Sequence, residues 1–414
     1  MTSLFLDSCN LPNIFFVPLI NSFTSLDALG LASTDLTSAS SVLEWLFNSN
    51  TSVVELDLSC NQFRGLIPDA FSRTNSLAHL YLDSNEFEGE IPKAFGGMCN
   101  LKTLSLLRNY LSRQLHDFFQ NLIGCADHSL EFLYLGRNLI MGWLPDLTTF
   151  PSLRELWVSK NHLNWTIPIS LGKLSNLEYL YLGYNALEGV ISKAHFSNLT
   201  KLKVLGLSNT LLVFNINSNW VPHFQLKMIG LRFSQLGPQF PKWLQTQKNL
   251  SYLDISNSKI SDTLSNFDWI FSSQLLVLNL SHNQINGHVP NLSWEFSFFP
   301  EIDLSSNKLE CKIPRFLFKA TYLDLSKNMF SKQVRSLCTV TNGNFNLLDL
   351  RKQACNLAFF FFFFFLNFKT TPYFLFVHVL HFHEHKILWY ALRCSWLASK
   401  QWWDGYLCIS FKKI

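Results

Sequence analysis

The chain has 414 residues, 48% of them hydrophobic, so it can bury one large core or divide into several domains. Its formal net charge of +4 comes entirely from residues 351–414, which leaves the first 350 residues slightly acidic; no basic stripe of the kind that contacts phosphates runs along them, which argues against a nucleic-acid partner. The nine cysteines include no C-x-x-C pair, which argues against zinc ribbons and thioredoxin-type sites.

The N-terminal segment, MTSLFLDSCNLPNIFFVPLI, does not have the pattern of a secretory signal. Its apolar stretches are interrupted by Asp7, Asn10 and Pro12, no basic region precedes them, and no small-residue cleavage site follows. We therefore expect any export signal of this protein to be missing from this chain.

An internal repeat decides the fold class. The pattern L-x-x-L-x-L-x-x-N-x-L occurs at Leu77–Phe87, Leu101–Leu111, Leu177–Leu187 and Leu275–Ile285, and it recurs about every 24 residues with divergent copies between. Alternate leucines point inward from a short strand, while the residues between them point outward. We predict a right-handed leucine-rich-repeat solenoid over residues 1–350, an α/β-type superhelix of roughly 14 strands with a parallel sheet on its concave face.

An asparagine at the ninth position of the repeat has a structural explanation. The turn that follows each strand leaves buried backbone donors and acceptors, and a side-chain amide can pair with them. We predict that these amides stack into a ladder formed by Asn61, Asn85, Asn109, Asn138, Asn161, Asn185, Asn283, Asn307 and Asn328. In weaker copies the same position is occupied by Cys9, Thr34, Thr210, Ser234 and Ser258.

A second motif, N-x-F-x-G-x-I-P, follows the asparagine at Asn61–Pro68 and Asn85–Pro92, and with Val in place of Ile at Asn283–Pro290. The glycine permits a turn that a side chain would hinder, and the proline prevents regular helix. We predict loops, 3₁₀ turns and extended pieces on the convex face. Trp165 and Cys311 occupy the glycine position in two divergent copies.

The outward-facing strand positions contain the candidate ligand-binding residues. Over neighbouring repeats these positions are mainly aromatic, and exposed aromatic side chains are frequent binding anchors. The candidates are His79, Tyr81, Phe132, Tyr134, Glu155, Trp157, Tyr179 and Tyr181. The alternative is that the rings pack along the sheet without a ligand.

Four aspartates occur at the equivalent outward position in other copies: Asp57, Asp254, Asp303 and Asp324. We interpret them as a solvated acidic face and not as paired catalytic carboxylates. No G-x-S-x-G, G-x-x-x-x-G-K-[ST], H-E-x-x-H or kinase signature occurs, so we expect no enzymatic activity and no cofactor.

The G-x-I-P motif resembles the plant extracellular class of leucine-rich repeats. The segment Asn219–Ser256 is similar to plant receptor-like proteins of the group that perceives ethylene-inducing xylanase, and the resemblance covers most of residues 1–350. It includes the segments Gly96–Leu106 and Ile123–Leu135, and it implies a disulfide between Cys99 and Cys125. The alternative is two buried thiols.

The resemblance also implies a function. It suggests the ligand-recognition part of a plant cell-surface immune receptor without a kinase domain, which binds a protein or peptide elicitor at the concave face and signals through a partner receptor kinase. Such a receptor lies at the extracellular face of the plasma membrane, and we expect membrane association only through segments absent from this chain. Two alternatives stay open: a soluble secreted inhibitor of microbial wall-degrading enzymes, and a truncated product without a signalling role.

Six N-x-[ST] triplets agree with an extracellular setting and are candidate glycosylation sites, although asparagine-rich repeats also produce such triplets by chance. They begin at Asn50, Asn164, Asn198, Asn249, Asn279 and Asn291.

The segment after Leu350 lacks the repeat, and it contains seven consecutive phenylalanines at Phe359–Phe365. We considered a membrane anchor, a core strand and translated intron or frameshifted sequence. A membrane span needs roughly 20 apolar residues, and identical large rings cannot alternate between core and solvent. We therefore expect residues 351–414 to lie outside the fold, and we interpret the histidine cluster at His381–His385 as fortuitous and not as a metal site.

Overall fold

The computed structural model describes residues 3–9, 26–37, 43, 46–47, 52–266, 268–293, 296–330, 347–349, 378–383 and 386–391. The phenylalanine tract and Asn50 lie outside these residues.

Within the described residues, fifteen short strands form one parallel sheet along the concave face. The central residue of each strand pairs with the central residue of the next, as Leu80 does with Leu56 and Leu104. The leucine-rich-repeat solenoid is thus confirmed, with one strand more than the roughly 14 expected from the repeat. The strands are Ser3–Phe5, Ala28–Gly30, Glu55–Asp57, His79–Tyr81, Thr103–Ser105, Phe132–Tyr134, Glu155–Trp157, Tyr179–Tyr181, Val204–Gly206, Met228–Gly230, Tyr252–Asp254, Val277–Asn279, Glu301–Asp303, Tyr322–Asp324 and Leu347–Asp349.

The core of the solenoid consists of the repeated apolar positions. Leu77, Leu80 and Leu82 of one repeat are fully buried, whereas His79 and Tyr81 between them are half-buried. This alternation is the two-residue period of a strand. Each repeat buries its apolar positions against its neighbours, so the core is continuous along the solenoid.

The nine asparagines of the predicted ladder lie inside the solenoid and bridge neighbouring repeats. Asn185 is representative: its Nδ2 donates to the carbonyl oxygens of Val158 (3.1 Å) and Leu182 (2.8 Å), and its Oδ1 accepts the Leu163 N–H (3.0 Å). Each amide therefore satisfies buried backbone groups of two successive turns.

A left-handed residue precedes each ladder position and takes the chain off the strand. The φ angle is 54° at Cys60, 52° at Ser84 and 57° at Arg137. Because every repeat turns at the same point, the next side chain is directed into the solenoid in each copy.

In the part of the chain that the structure describes, three further parallel sheets lie outside the concave sheet, where we had expected loops, 3₁₀ turns and extended pieces. The glycines of the G-x-I-P motif adopt positive φ there, 81° at Gly65 and 76° at Gly89. The additional sheets form because equivalent extended pieces of successive repeats lie side by side and pair. Their strands are Arg64–Leu66, Glu86–Gly89 and Tyr110–Leu111; Met141–Gly142, His162–Trp165, Ala186–Ile191 and Leu211–Phe214; and Asn286–Gly287, Lys308–Cys311 and Met329–Phe330.

Helices in the described ranges are short. The 3₁₀ helices are Asp69–Arg73, Lys93–Gly97, Ile169–Lys173, Lys193–Phe196, Lys242–Thr246, Leu264–Asn266, Asp268–Ile270 and Arg315–Lys319, and the α-helices are Leu115–Asn121 and Ala126–Ser129. None of the helices in the described part of the chain combines the length and the apolar character that crossing a membrane requires.

The α-helices Leu115–Asn121 and Ala126–Ser129 belong to one longer repeat. A disulfide joins Cys99 to Cys125, with the two Cα atoms 4.7 Å apart, and the Cys125 N–H donates to the carbonyl oxygen of Gly96 (2.8 Å). The backbone approach is close enough that a Cβ atom at Gly96 would collide with the carbonyl oxygen of Ile123. The disulfide and these contacts hold the second helix of the insertion against the preceding 3₁₀ helix.

In the C-terminal region the strands His378–His383 and Lys386–Ala391 pair in an antiparallel two-stranded sheet that is separate from the sheets of the solenoid. His381 and His383 of the histidine cluster lie on the first of these strands.

Candidate ligand-binding face of the concave sheet

The eight candidate residues lie on the outward side of the concave sheet, and each is half-buried. We call this group the aromatic strip: His79, Tyr81, Phe132, Tyr134, Glu155, Trp157, Tyr179 and Tyr181. The parallel register arranges them in two rows. The first row contains His79, Phe132, Glu155 and Tyr179, and the second row contains Tyr81, Tyr134, Trp157 and Tyr181.

Three rings of the second row form a continuous surface on consecutive strands. The ring centroids of Tyr134 and Trp157 are 6.4 Å apart with an edge-to-face arrangement, and those of Trp157 and Tyr181 are 5.0 Å apart. Glycines give these rings room, because a Cβ atom at Gly136 would lie 2.8 Å from Nε1 of Trp157, and one at Gly206 would lie 2.9 Å from Cδ1 of Tyr181. The rings therefore lie close to the backbone of the neighbouring repeats.

One strand interrupts the strip. Thr103 and Ser105 separate Tyr81 from Tyr134, and they are only 4% and 2% exposed. The two tyrosines are thus two strands apart, roughly 10 Å. The Ser105 hydroxyl donates to Oδ1 of Asp83 (2.6 Å), which also accepts the Leu107 N–H (2.7 Å). The sequence does not reveal that the gap contains a half-buried carboxylate with these two partners.

Burial raises the pKa of several side chains of the strip. Burial, followed by the charges of Glu55 and Asp57, raises the pKa of Tyr81. Burial and then the charge of Glu155 raise the pKa of Tyr134, whose hydroxyl donates to Oε2 of Glu155 (3.1 Å). The pKa of Glu155 is itself raised, first by burial. The hydroxyl groups of Tyr81 and Tyr134 are therefore neutral.

A charged ladder that the sequence analysis missed runs along one edge of the strip. It consists of the residues that directly precede five consecutive strands: Lys102, Glu131, Arg154, Glu178 and Lys203. Their signs alternate, and adjacent members form ion pairs. The nitrogen-to-oxygen distances are 3.8 Å for Lys102–Glu131, 3.3 Å for Glu131–Arg154 and 2.7 Å for Arg154–Glu178, and Lys203 is paired with Glu178. The alternation is visible in the sequence once the repeats are aligned on their strands.

The aspartates of the acidic face have local partners. Oδ1 of Asp254 accepts the N–H of Ser256 (3.0 Å), and the same contact joins Asp303 to Ser305 (2.9 Å). These bonds stabilise the turn after each strand, so they explain the aspartates without a catalytic role. In the described part of the chain, no three His, Cys, Asp or Glu residues converge as metal ligands would.

The structure places five of the six candidate glycosylation sites. Asn164, Asn198, Asn249 and Asn291 are exposed. Asn279 ends a strand of the concave sheet, is half-buried, and accepts the N–H and hydroxyl of Ser281 (3.0 and 2.7 Å). A glycan at Asn279 would therefore project from the concave face, whereas the other four would leave the aromatic strip accessible.

Comparison with known proteins gives consistent matches. Leucine-rich-repeat family models match residues 24–87, 151–212 and 274–296. The receptor-like protein EIX2 of tomato (Solanum lycopersicum) is 35% identical over 403 residues, which cover 80% of this chain and 39% of EIX2. This chain thus spans well under half the length of that relative.

Two solved plant receptor structures share the fold. The plant peptide hormone receptor RGFR1 in complex with RGF2 has a TM-score of 0.62 and 26% identity, with 80% of this chain and 52% of that chain covered. The Arabidopsis receptor kinase HAESA in complex with the peptide hormone IDA and the co-receptor SERK1 has a TM-score of 0.56 and 26% identity, with 82% and 59% covered.

Proposed function

We propose that this chain, which belongs to the plant leucine-rich-repeat receptor-like proteins, provides the ligand-recognition surface of a cell-surface immune receptor without a kinase domain. The ligand is a protein or peptide elicitor, and it binds the concave face at the aromatic strip. The receptor acts at the extracellular face of the plasma membrane.

The observation that carries this proposal is the continuous surface of Tyr134, Trp157 and Tyr181. Three adjacent aromatic side chains on one concave sheet are half-exposed, although apolar rings are stabilised by burial. Aromatic residues held in a rigid arrangement dominate the binding energy of many protein interfaces. RGFR1 and HAESA, which share this fold, are both solved with peptide hormones.

A partner receptor kinase follows from the same reasoning. HAESA is solved with the co-receptor SERK1. A receptor-like protein without a kinase needs a second protein to produce an intracellular signal, so we propose that a membrane-bound receptor kinase associates with the ligand-bound receptor.

The proposal is tested by removing two rings that contact each other. The variant Trp157→Ala/Tyr181→Ala loses most of the apolar contact surface, and we expect its dissociation constant to rise at least about tenfold, as is typical of central aromatic anchors. The dissociation constant is measured by biolayer interferometry with two probes. One is purified ethylene-inducing xylanase, and the other is a peptide selected on the parent chain from a displayed library of random peptides.

A matched control removes the same residue types from elsewhere. Trp143 and Tyr110 lie outside the concave sheet and are more exposed than the strip residues, at 46% and 52%. The variant Trp143→Ala/Tyr110→Ala should bind like the parent chain. The proposal is contradicted if Trp157→Ala/Tyr181→Ala binds the probes as tightly as the parent chain does. It is also contradicted if the parent chain binds neither probe.

A further inference from the structure

Glu178 is the most enclosed member of the charged ladder. Its side chain is only 9% exposed, whereas those of Arg154 and Lys203 are 44% and 40% exposed. Nε and Nη2 of Arg154 donate to Oε1 of Glu178 (3.0 and 2.7 Å), and Nζ of Lys203 donates to Oε2. Both carboxylate oxygens are thus held by cations, one from the preceding repeat and one from the following repeat.

The same two cations face rings of the aromatic strip. The guanidinium carbon of Arg154 lies 5.5 Å from the ring centroid of Phe132, and Nζ of Lys203 lies 5.9 Å from that of Tyr179. Both distances are within the range at which a cation is attracted to the face of an aromatic ring. Glu178 therefore fixes two cationic groups, and each of these groups is held against one ring.

The backbone reinforces this arrangement. The N–H of Arg154 donates to the carbonyl oxygen of Glu131 (2.8 Å), that of Glu178 to Arg154 (2.8 Å) and that of Lys203 to Glu178 (2.7 Å). The Cα positions of the ladder are therefore fixed by the solenoid, and the ion pairs determine where the long side chains point.

We propose that Glu178 is a positioning residue for ligand recognition: through Arg154 and Lys203 it holds the Phe132 and Tyr179 rings in the orientation that the ligand contacts. This inference rests on the proposed function, because it assigns a role within the same concave surface. The cations of these ion pairs are half-exposed, which limits what the pairs add to overall stability, so their main consequence here is the order of two rings. A ring that is ordered before binding loses less conformational entropy when the ligand arrives.

The first test measures ring order without any ligand. The full chain carries 4-fluorophenylalanine at position 132 or 3-fluorotyrosine at position 179, and ¹⁹F NMR records the shift and line width of each label. In the variant Glu178→Gln both resonances should move and narrow. In the control Glu86→Gln, which disrupts the exposed Arg64–Glu86 pair (3.0 Å) elsewhere, they should stay unchanged.

Two further variants separate the halves of the ladder and keep the test valid if Glu178→Gln folds poorly. Lys203→Met removes one cation but keeps an apolar stem, so it should alter the label at position 179 more than the label at position 132. Arg154→Met should have the opposite effect. Unchanged labels in Glu178→Gln and in both methionine variants overturn the inference.

The second test measures binding. Glu178→Gln should weaken binding of the probe identified with the parent chain about three- to tenfold, which corresponds to ordering one or two side chains, and Glu178→Asp should recover part of this loss. Altered labels together with unchanged affinity also overturn the inference. None of these outcomes changes the result expected for Trp157→Ala/Tyr181→Ala and its control. Failure of the positioning role is therefore distinguishable from failure of the proposed function.

Discussion

Two types of residue in this chain illustrate what the sequence can and cannot reveal at the smallest scale. The ladder asparagines could be predicted because a buried turn always needs the same backbone groups satisfied. Ser234 occupies the same position, but its hydroxyl is buried and has no hydrogen-bond partner among the described residues. The residue type at a ladder position indicates which hydrogen bonds are possible, whereas the distance to the neighbouring backbone groups decides which of them form.

Trp165 shows the energetic consequence of a departure from the repeat. It occupies the glycine position of its copy and adopts a φ of 73°, with 63% of its surface exposed. A side chain in the left-handed region costs roughly 1–2 kcal/mol, and glycine avoids this cost but loses more conformational entropy on folding. We expect Trp165→Gly to raise the free energy of unfolding by about 0.5–1 kcal/mol, measured by urea denaturation.

The matched control for this prediction is Trp143→Gly. Trp143 is 46% exposed and is not among the positive-φ residues, so glycine brings flexibility there without relief of strain. The control should be less stable than the parent chain. A Trp165→Gly variant that is destabilised as much as Trp143→Gly would show that Trp165 is not strained.

At the scale of elements, the concave strands follow directly from the L-x-L pattern, because alternate burial specifies both the strand and the face it presents. The three additional sheets do not follow from it. Gly65 pairs with Phe87, and Trp165 pairs with Leu187, so each sheet depends on the alignment of one repeat with the next. A single copy of the motif contains no information about that alignment.

The disulfide-linked insertion makes a testable contribution to stability. Cys99 and Cys125 are 26 residues apart. Closing a loop of this size lowers the conformational entropy of the unfolded chain, which stabilises the folded state by about 3 kcal/mol. We expect Cys99→Ser/Cys125→Ser to lower the thermal midpoint and to make the segment between the two positions sensitive to limited proteolysis.

The control is the pair Cys60→Ser/Cys311→Ser, since both of these cysteines are free and exposed. It should preserve the midpoint and the protease resistance of the parent chain. Similar losses in both double variants would mean that the disulfide has no special role in holding the insertion.

At the scale of the whole molecule, the concave face has two different parts. The aromatic strip extends from His79 to Tyr181, and on the next two strands the register position of Tyr181 is occupied by Gly206 and Gly230, which carry no ring. The charged ladder joins five repeats along one edge of the strip. Its members are far apart in sequence and meet because the solenoid repeats with a constant register, which is why the sequence analysis identified the rings but not the ion pairs that orient two of them.

The central claim is that the ligand binds the concave face, and photo-crosslinking tests it most directly. The full chain carries p-benzoylphenylalanine in place of Tyr179 on the strip, or in place of Tyr110 outside the concave sheet. It is irradiated in complex with the probe that binds the parent chain in the affinity measurement. We predict a covalent product from position 179 and none from position 110. A product from position 110 and none from position 179 would contradict the account.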